Sequence, residues 1–352
     1  MSITTTEPRR TVDVMRRIEL TQWGVDNLAT TSVPRPEPGP GQVLVQMKAV
    51  ALNFRDLLVI SGVYNPKMPL PLVPVSDGAG HIVERASHAT KFKLGALVMP
   101  IHVPGWTGGR PEHDAVPRGG PAPGVLAEYV AFDERELVEA PAHLDAVEAA
   151  TLPCAAVTAW NGLFGGAEPL QPGDRVLILG TGGVGLFALQ FAKLAGAEVI
   201  VTSKDDAKLS RAAKMGADHL INYQKDPDWG RTAREICGGA GADIVIELGG
   251  AATMSQSLRA VRRGGTVAMI GSVTGAEVEK LSLPPIFMRN VAMRGVAVGS
   301  RDLFEDMAAA IAQHQIHPIV HQVFDGLDSF TAALEELASG SHFGKVVVKV
   351  AP

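Results

Sequence analysis

The chain has 352 residues and a formal net charge of −5, a length that outgrows one ordinary hydrophobic core and suits two domains. Slight acidity without basic blocks leaves no electropositive face for nucleic acid, and no apolar run reaches bilayer-spanning length. Two cysteines, Cys154 and Cys237, cannot build a disulfide framework, so a reducing, cytoplasmic setting is expected, and residues 1–10 lack the apolar core of a signal segment.

Residues 1–10 read as a loose tail, with structure beginning near Val12. Pro34, Pro36, Pro38 and Pro40 with Gly39 and Gly41 mark a turn before Gln42–Leu52, whose β-branched and apolar content predicts a strand. Val73–Arg85, interrupted by Gly78 and Gly80, and Ala127–Phe132 read as further strands of a mostly antiparallel, barrel-like unit. Between them, residues 102–124 are rich in Gly and Pro and carry Trp106, His113 and Arg118. A loop of that length is either a substrate lid or irregular surface.

From Leu144 the pattern becomes helices alternating with apolar strands. Arg175–Leu179 is an apolar strand that feeds Gly180-Thr181-Gly182-Gly183-Val184-Gly185. A helix follows over Leu186–Leu194, Gly196 ends it, and Glu198–Thr202 reads as a second strand. The first glycine permits the sharp turn, the second lets backbone approach a pyrophosphate, and the third lets helix and strand pack closely. Phosphate charge then meets the helix N-terminus, lined by the backbone of Gly182, Gly183 and Val184. The second strand ends in Thr202-Ser203-Lys204 instead of the acidic residue that accepts from the ribose of NAD. Hydroxyl and ammonium suit a 2′-phosphate, so Ser203 and Lys204 predict NADPH. Lys208, one helical turn on, faces the same phosphate or solvent. Asp205 and Asp206 fall late for a ribose contact and read as the N-cap and first turn of a helix ending near Met215.

The alternation continues: strand His219–Asn222, helix Trp229–Cys237, strand Asp243–Glu247, helix Met254–Val261 and strand Thr266–Ile270 make a doubly wound parallel sheet. Asn290–Gly299 reads as an apolar edge strand, which invites a homodimer. Leu303–Gln313 and Ser329–Leu337 are predicted helices and Lys345–Val350 a strand, a closing segment that rejoins the first domain.

This arrangement, together with NFRD at Asn53–Asp56, SGVY at Ser61–Tyr64, DGAG at Asp77–Gly80, AATLPCAAVTAW at Ala149–Trp160 and GADHLINY at Gly216–Tyr223, resembles the medium-chain dehydrogenase/reductase superfamily, in its zinc-free, quinone-oxidoreductase-like branch. The resemblance implies an α/β fold: a doubly wound parallel Rossmann sheet (residues 151–299, binding NADP) plus a mostly antiparallel GroES-like barrel domain (residues 1–150 and 300–352). It places Tyr223 beside the adenosine phosphate, Thr158 near the nicotinamide, and Gly271 and Ser272 in a cofactor-lining turn.

Zinc enzymes of the superfamily hold the metal with three protein ligands. Against their pattern, Asn53 stands for the first cysteine, Ser76-Asp77 stands for a His-Glu pair, and Cys154 alone remains. No metal is therefore expected, with a noncanonical site using His81, His102 or His113 as the alternative. Without a metal to stabilise an alkoxide, hydride transfer favours an acceptor that delocalises charge: a quinone, enone or enal. The resemblance implies Asn53, Asp56 and Tyr64 as catalytic candidates. Asn53 would donate to the nicotinamide ribose or a substrate oxygen. Asp56 would orient it, or else cap a short helix over Leu57–Ile60. Tyr64 would pass a proton to the enolate carbon or merely line the pocket. Some relatives carry a second tyrosine where Leu58 sits, so a two-tyrosine mechanism is not implied. The expected activity is NADPH-dependent reduction of a conjugated carbonyl in the interdomain cleft. An alcohol dehydrogenase or ketone reductase and a non-catalytic NADPH-binding protein are the alternatives.

Overall fold

The computed structural model describes residues 13–350, and the expectation about residues 1–10 lies outside them. The chain opens with β1 (Val14–Leu20) antiparallel to β2 (Leu28–Pro34). β3 (Gln42–Ala51) follows, ten residues of alternating and then continuous apolar character that bury both faces. It leads into α1 (Phe54–Ile60). Around β3 assemble β4 (Asp77–Arg85), β5 (Leu97–Pro100), β6 (Tyr129–Asp133) and β7 (Leu137–Glu139). The strand expected over Val73–Arg85 begins only at Asp77. Val75 sits at φ 69°, and its backbone packs against the returning loop, with Val125 N–H donating to its carbonyl at 2.9 Å, so this stretch turns before it pairs.

α2 (Ala146–Ala149) and a π-turn over Leu152–Ala156 run into α3 (Val157–Phe164). The parallel sheet then builds through β8 (Arg175–Leu179), α4 (Gly183–Leu194), β9 (Glu198–Ser203), α5 (Asp206–Lys214), β10 (His219–Asn222), α6 (Trp229–Ile236), β11 (Ala242–Glu247), α7 (Met254–Ala260), β12 (Val261–Met269), α8 (Pro284–Phe287) and β13 (Ala292–Gly295). Its spatial order, β10-β9-β8-β11-β12-β13, reverses beside β8, and ligands of doubly wound sheets bind at such a switch point. β12 starts at Val261, earlier than the residue pattern suggested, and β13 is shorter than the expected Asn290–Gly299, although it does lie at the sheet's edge.

α9 (Arg301–His314), β14 (Val320–Asp325), α10 (Phe330–Ser339) and β15 (Lys345–Lys349) return to the first sheet, where β15 pairs antiparallel with β3. One core fills the barrel around Val43, Val45, Ile82, Phe132, Phe330 and Val348. A second joins the barrel to one face of the parallel sheet through Ala49, Ala156, Ile178 and Phe187, and a third, with Leu177, Trp229 and Leu258, covers the other face. None of the helices described is long and apolar enough to cross a membrane.

Candidate active site

The glycine turn forms as its residue types require. Gly180 has φ 90°, a conformation that L side chains resist. A Cβ on Gly185 would lie 2.2 Å from the Gly180 carbonyl oxygen, so only glycine lets α4 start this close to β8. Gly182 is the N-cap of α4 and supplies no side-chain cap; the first N–H groups of Gly183 and Val184 are left for a ligand. A Cβ built on Gly182 would meet only His342 Nε2, at 3.8 Å. This open, donor-lined cradle fits a dinucleotide pyrophosphate. Two further turns flank it along the same sheet edge. Buried Glu247 at the end of β11 accepts from the N–H groups of Gly249 and Gly250, at 2.8 and 3.0 Å, and Gly271 and Ser272 follow β12 and stack on that turn. Thr158 is buried in α3.

At the outer end, Ser203 is buried and its Oγ accepts from Asp205 N–H at 3.2 Å, while Lys204 is exposed. Tyr223 N–H donates to the Ser203 carbonyl at 3.2 Å, and its side chain is partly exposed. Asp205 caps α5 by accepting from Ala207 and Lys208 N–H, and Asp206 accepts from Asn222 and Lys225. Both acids are therefore structural, as expected. Lys208 departs from the simple reading: its Nζ donates to the Gly340 carbonyl at 2.8 Å, tying α5 to the segment that leads into β15. That segment also brings His342 to the turn, a residue the sequence did not single out. Burial, with Lys208, His321 and Lys345 nearby, pushes its imidazole down to about 4.

The second group of residues meets where three strands of the barrel converge. β3 is antiparallel to both β4 and β15, with Ala51 opposite Asp77 and opposite Val347. The end of β3 therefore meets the beginnings of the other two. Asn53 follows β3, Asp77 opens β4 and Lys345 opens β15. Lys345, although only 3 % exposed, donates from Nζ to the Leu52 carbonyl at 2.7 Å and to Asn53 Oδ1 at 2.6 Å, and lies 3.7 Å from Asp77 Oδ2. A Cβ on Gly183 would sit 2.7 Å from Lys345 Cδ, so the lysine passes the start of α4 only because glycine is there. The cradle and the polar cluster thus adjoin.

Asp56 is fully buried, and its Oδ2 accepts from Asn53 N–H at 2.7 Å. The N-cap of α1 is Asn53 and not Asp56; the helix begins three residues before Leu57, which makes Asp56 its third residue, reaching back to the cap. Burial pushes the Asp56 carboxyl up to about 6 against the lowering influence of Arg55. Asp77 accepts from Ser76 Oγ at 2.7 Å and Cys154 N–H at 3.2 Å, with His102 Nδ1 at 3.8 Å. Burial opposes its charge, but His102, Lys345 and Asn53 hold its carboxyl below the ordinary value. Burial and the neighbouring Asp77 push the Cys154 thiol up to about 12, and burial, with Arg55 and Arg118, pushes the His102 imidazole below its ordinary value against the opposing pull of Asp77. Four buried polar atoms in this cluster have no hydrogen-bond partner among the described residues: Asn53 Nδ2, Arg55 Nε, Asp56 Oδ1 and His102 Nδ1.

Ligand atoms of Asp77, His102 and Cys154 lie within 4.8 Å of one another. Carboxylate, imidazole and thiolate are donors that zinc accepts, but the set does not fit the metal as it stands. The carboxylate already has an ammonium 3.7 Å away and donors on both oxygens, so a second cation would be placed against the first. His81, by contrast, bonds to the Gly95 carbonyl and takes no part, and His113 is exposed.

Tyr64 lies on the loop after α1, 45 % exposed, under the Arg55 guanidinium at 5.0 Å. Arg55 also donates to the carbonyls of Arg118 and Gly120, both at 2.9 Å. It therefore clamps the 102–124 segment, which contains no helix or strand and is held farther along where Arg301 and Asp302 N–H donate to the Trp106 and Thr107 carbonyls. Sequence reasoning missed Lys345 and gave Asp77 and His102 no shared site. The one local signal was a lysine opening the otherwise apolar run Val346–Val348.

Two families match: that described as "Alcohol dehydrogenase GroES-like domain" over residues 39–142 and that described as "Zinc-binding dehydrogenase" over residues 183–313. The chain is 44 % identical to a zinc-type alcohol dehydrogenase-like protein of Schizosaccharomyces pombe over 93 % of this chain and 96 % of that one. It is 27 % identical to an acryloyl-coenzyme A reductase of Sulfurisphaera tokodaii, covering 90 % and 95 %. Among solved structures, a putative alcohol dehydrogenase of Sinorhizobium meliloti superposes with a TM-score of 0.90 at 38 % identity, covering 96 % and 98 % of the two chains. An NAD-dependent alcohol dehydrogenase does so with a TM-score of 0.87 at 32 % identity, covering 96 % and 100 %.

Proposed function

The chain belongs to the medium-chain dehydrogenase/reductase superfamily and is an oxidoreductase of that type, and from this premise we propose that it is a zinc-independent, NADPH-dependent reductase of conjugated carbonyl compounds. A nicotinamide cofactor follows from the family; the preference for NADPH rests on Ser203, Lys204 and Tyr223, whose hydroxyl and ammonium groups suit a 2′-phosphate, the carboxylates that follow being engaged in the cap of α5 and by Asn222 and Lys225. The reduced nicotinamide, when bound, supplies the hydride.

The observation that carries the reading is the Asn53 amide. Its Nδ2 is buried and makes no hydrogen bond among the described residues; one of its two N–H groups is on the Asp77 side, where Asn53 helps to hold that carboxylate charged, and a carbonyl oxygen would satisfy the other. Adding hydride at the β carbon of an enone forms a C–H bond there and moves the π pair onto that oxygen. A donor that meets the growing charge stabilises the transition state. Such a donor is weaker than a metal, which is why a charge-delocalising acceptor suits this site better than a simple ketone. Tyr64 hands a proton to the α carbon, completing the reduction. The similarity to an acryloyl-coenzyme A reductase supports a conjugated acceptor.

A second reading, metal-dependent alcohol oxidation, draws on the mutual proximity of Asp77, His102 and Cys154 and on alcohol dehydrogenases among the relatives. One experiment separates the two: oxidation of NADPH and of NADH by metal-analysed protein, with and without a chelator, against matched enone, quinone and ketone acceptors. Turnover of the conjugated acceptors with NADPH that resists the chelator is expected. Chelator-sensitive ketone reduction by zinc-loaded protein would overturn the proposal, as would NADH used in preference.

A further inference from the structure

Arg55 stands where a helix disfavours it. It is the second residue of α1, just behind the N-cap Asn53, in a first turn whose free N–H groups already carry partial positive charge. Its guanidinium donates to two neutral acceptors, the carbonyls of Arg118 and Gly120, and the carboxylate beside it, Asp56 Oδ1, lies 3.6 Å away without a hydrogen bond. Burial aside, its charge draws down the carboxyl of Asp56, the imidazole of His102 and the thiol of Cys154, which places it at the barrel end with the polar cluster. Two hydrogen bonds hold the planar group in one orientation, and Cζ stands over the Tyr64 ring, 5.0 Å from its centroid. Tyr64 N–H donates to the Leu58 carbonyl at 2.9 Å. That bond fixes the backbone of Tyr64 to α1 and leaves the direction of its ring to side-chain contacts, of which Arg55 is one from the same helix.

We propose that Arg55 is the positioning residue for the Tyr64 phenol: it holds the ring in the orientation that delivers a proton and offsets the charge that delivery leaves behind. The proposal rests on the conjugated-carbonyl reading, with Tyr64 as its proton donor. Hydride addition produces an enolate. The phenol O–H bond then breaks as the enolate π pair forms a C–H bond at the α carbon, and the carbonyl is restored. The negative charge passes to the Tyr64 oxygen, where a guanidinium over the same ring offsets it. Water reaches the side chain, which is 45 % exposed, and returns the proton. Orientation has a separate effect, because a ring held in one place protonates one face of the enolate, whereas bulk water protonates both. Arg55 touches Tyr64 and not the reacting atoms. The same guanidinium ties down residues 118–120, a purely mechanical role that predicts a different outcome.

The test compares Arg55→Met, Arg55→Lys, Tyr64→Phe and the Arg55→Met/Tyr64→Phe pair in the full chain, with an α-methyl cyclohexenone as acceptor. NADPH affinity is read by fluorescence titration, Tm by thermal unfolding, kcat from NADPH oxidation, and the handedness of the product at its α carbon by chiral chromatography. Arg55→Met is expected to lower kcat about 100-fold, to leave NADPH affinity unchanged, and to turn a single-handed product into a mixture. Lysine keeps the charge but not the planar pair of carbonyl bonds, so Arg55→Lys is expected to recover part of the lost kcat and none of the handedness. The double variant is expected to be no slower than Tyr64→Phe alone. If removing the cation leaves Asp56 uncompensated and the chain unfolds, Arg55→Met/Asp56→Asn takes away both charges and is read in the same way. Unchanged kcat and handedness in Arg55→Met overturn the proposal, as do losses that multiply in the double variant. A lower Tm and kcat with the product still single-handed overturns it as well, because Arg55 then only holds residues 118–120 in place. Failure of the unmodified chain to reduce any conjugated acceptor removes the functional reading and this proposal together; normal wild-type turnover with a fully active Arg55→Met or Tyr64→Phe removes this proposal and leaves the reductase reading standing.

Discussion

Asp56 joins a backbone role to an electrostatic cost. Its carboxylate reaches back to the N–H of Asn53 and so holds the residue that carries the unpaired amide, but burial has raised its folded pKa to about 6 from an ordinary 3.8. The folded state therefore binds a proton more tightly than the unfolded one, and between pH 4 and 6 this group removes stability as pH rises. Asp56→Asn keeps an oxygen for the Asn53 N–H and cannot ionise. Relative to the parent, the variant should gain about 2 kcal/mol of unfolding free energy on going from pH 4 to pH 7. Urea titrations at the two pH values check this, and a difference that stays constant with pH would mean that Asp56 is not titrating in this window. The residue types at Asn53 and Asp56 were readable as a pair. Their division of labour was not, because it depended on α1 starting at Phe54, and a helix start is poorly marked when both Asn and Asp stand ready to cap it.

The glycine turn was the most legible element because nearly all its constraints are local. A strand, a turn that needs φ near 90°, and a helix that needs a bare Cα at Gly185 all lie within a dozen residues. The prediction that belongs to it is correspondingly direct. Gly185→Ala puts a methyl group against the backbone oxygen of Gly180, an atom that cannot rotate away, and should cost about 1–3 kcal/mol of stability together with most of the affinity for the nicotinamide cofactor. Chemical denaturation and fluorescence titration measure the two effects, and unaltered cofactor binding would show that α4 can shift without harm to the cradle. The barrel strands were harder to read. Antiparallel pairing joins β3 to β4, β6 and β15 across long separations, and no short-range pattern records which strand ends meet. Lys345 and Asn53 are 292 positions apart, so their contact was invisible until β15 was placed. Asp77 and His102 escaped for the same reason: each has an ordinary local setting, and only the assembled barrel end gives them a shared one.

The two halves of the molecule are built to be held against each other. The segment before β15 bridges to Gly182, with Gly344 N–H donating to the Thr181 carbonyl at 3.2 Å, and the largest core runs between barrel and parallel sheet. On the far side, β13 ends the parallel sheet, and the neighbouring α8 segment leaves Phe287 and Met288 62 % and 65 % exposed. A two-fold arrangement pairing β13 with its copy would satisfy the open edge and cover those side chains. A homodimer is therefore expected by light scattering at micromolar concentration, and Phe287→Glu/Met288→Glu should shift it to monomer. A parent chain already of monomer mass would refute this. Lys345 has a further consequence for how the protein is made. Asn53 and Asp77 leave the ribosome long before the lysine that bonds to the one and faces the carboxylate of the other, which follows Asn53 by 292 positions. Throughout that interval the Asp77 carboxylate lacks the ammonium that faces it in the finished fold, so a nascent chain stalled short of β15 has reason to keep that end open to water. Burial of the reaction centre thus waits for one of the last strands to be synthesised, and an interrupted chain displays to quality-control factors the very surface that the finished enzyme hides.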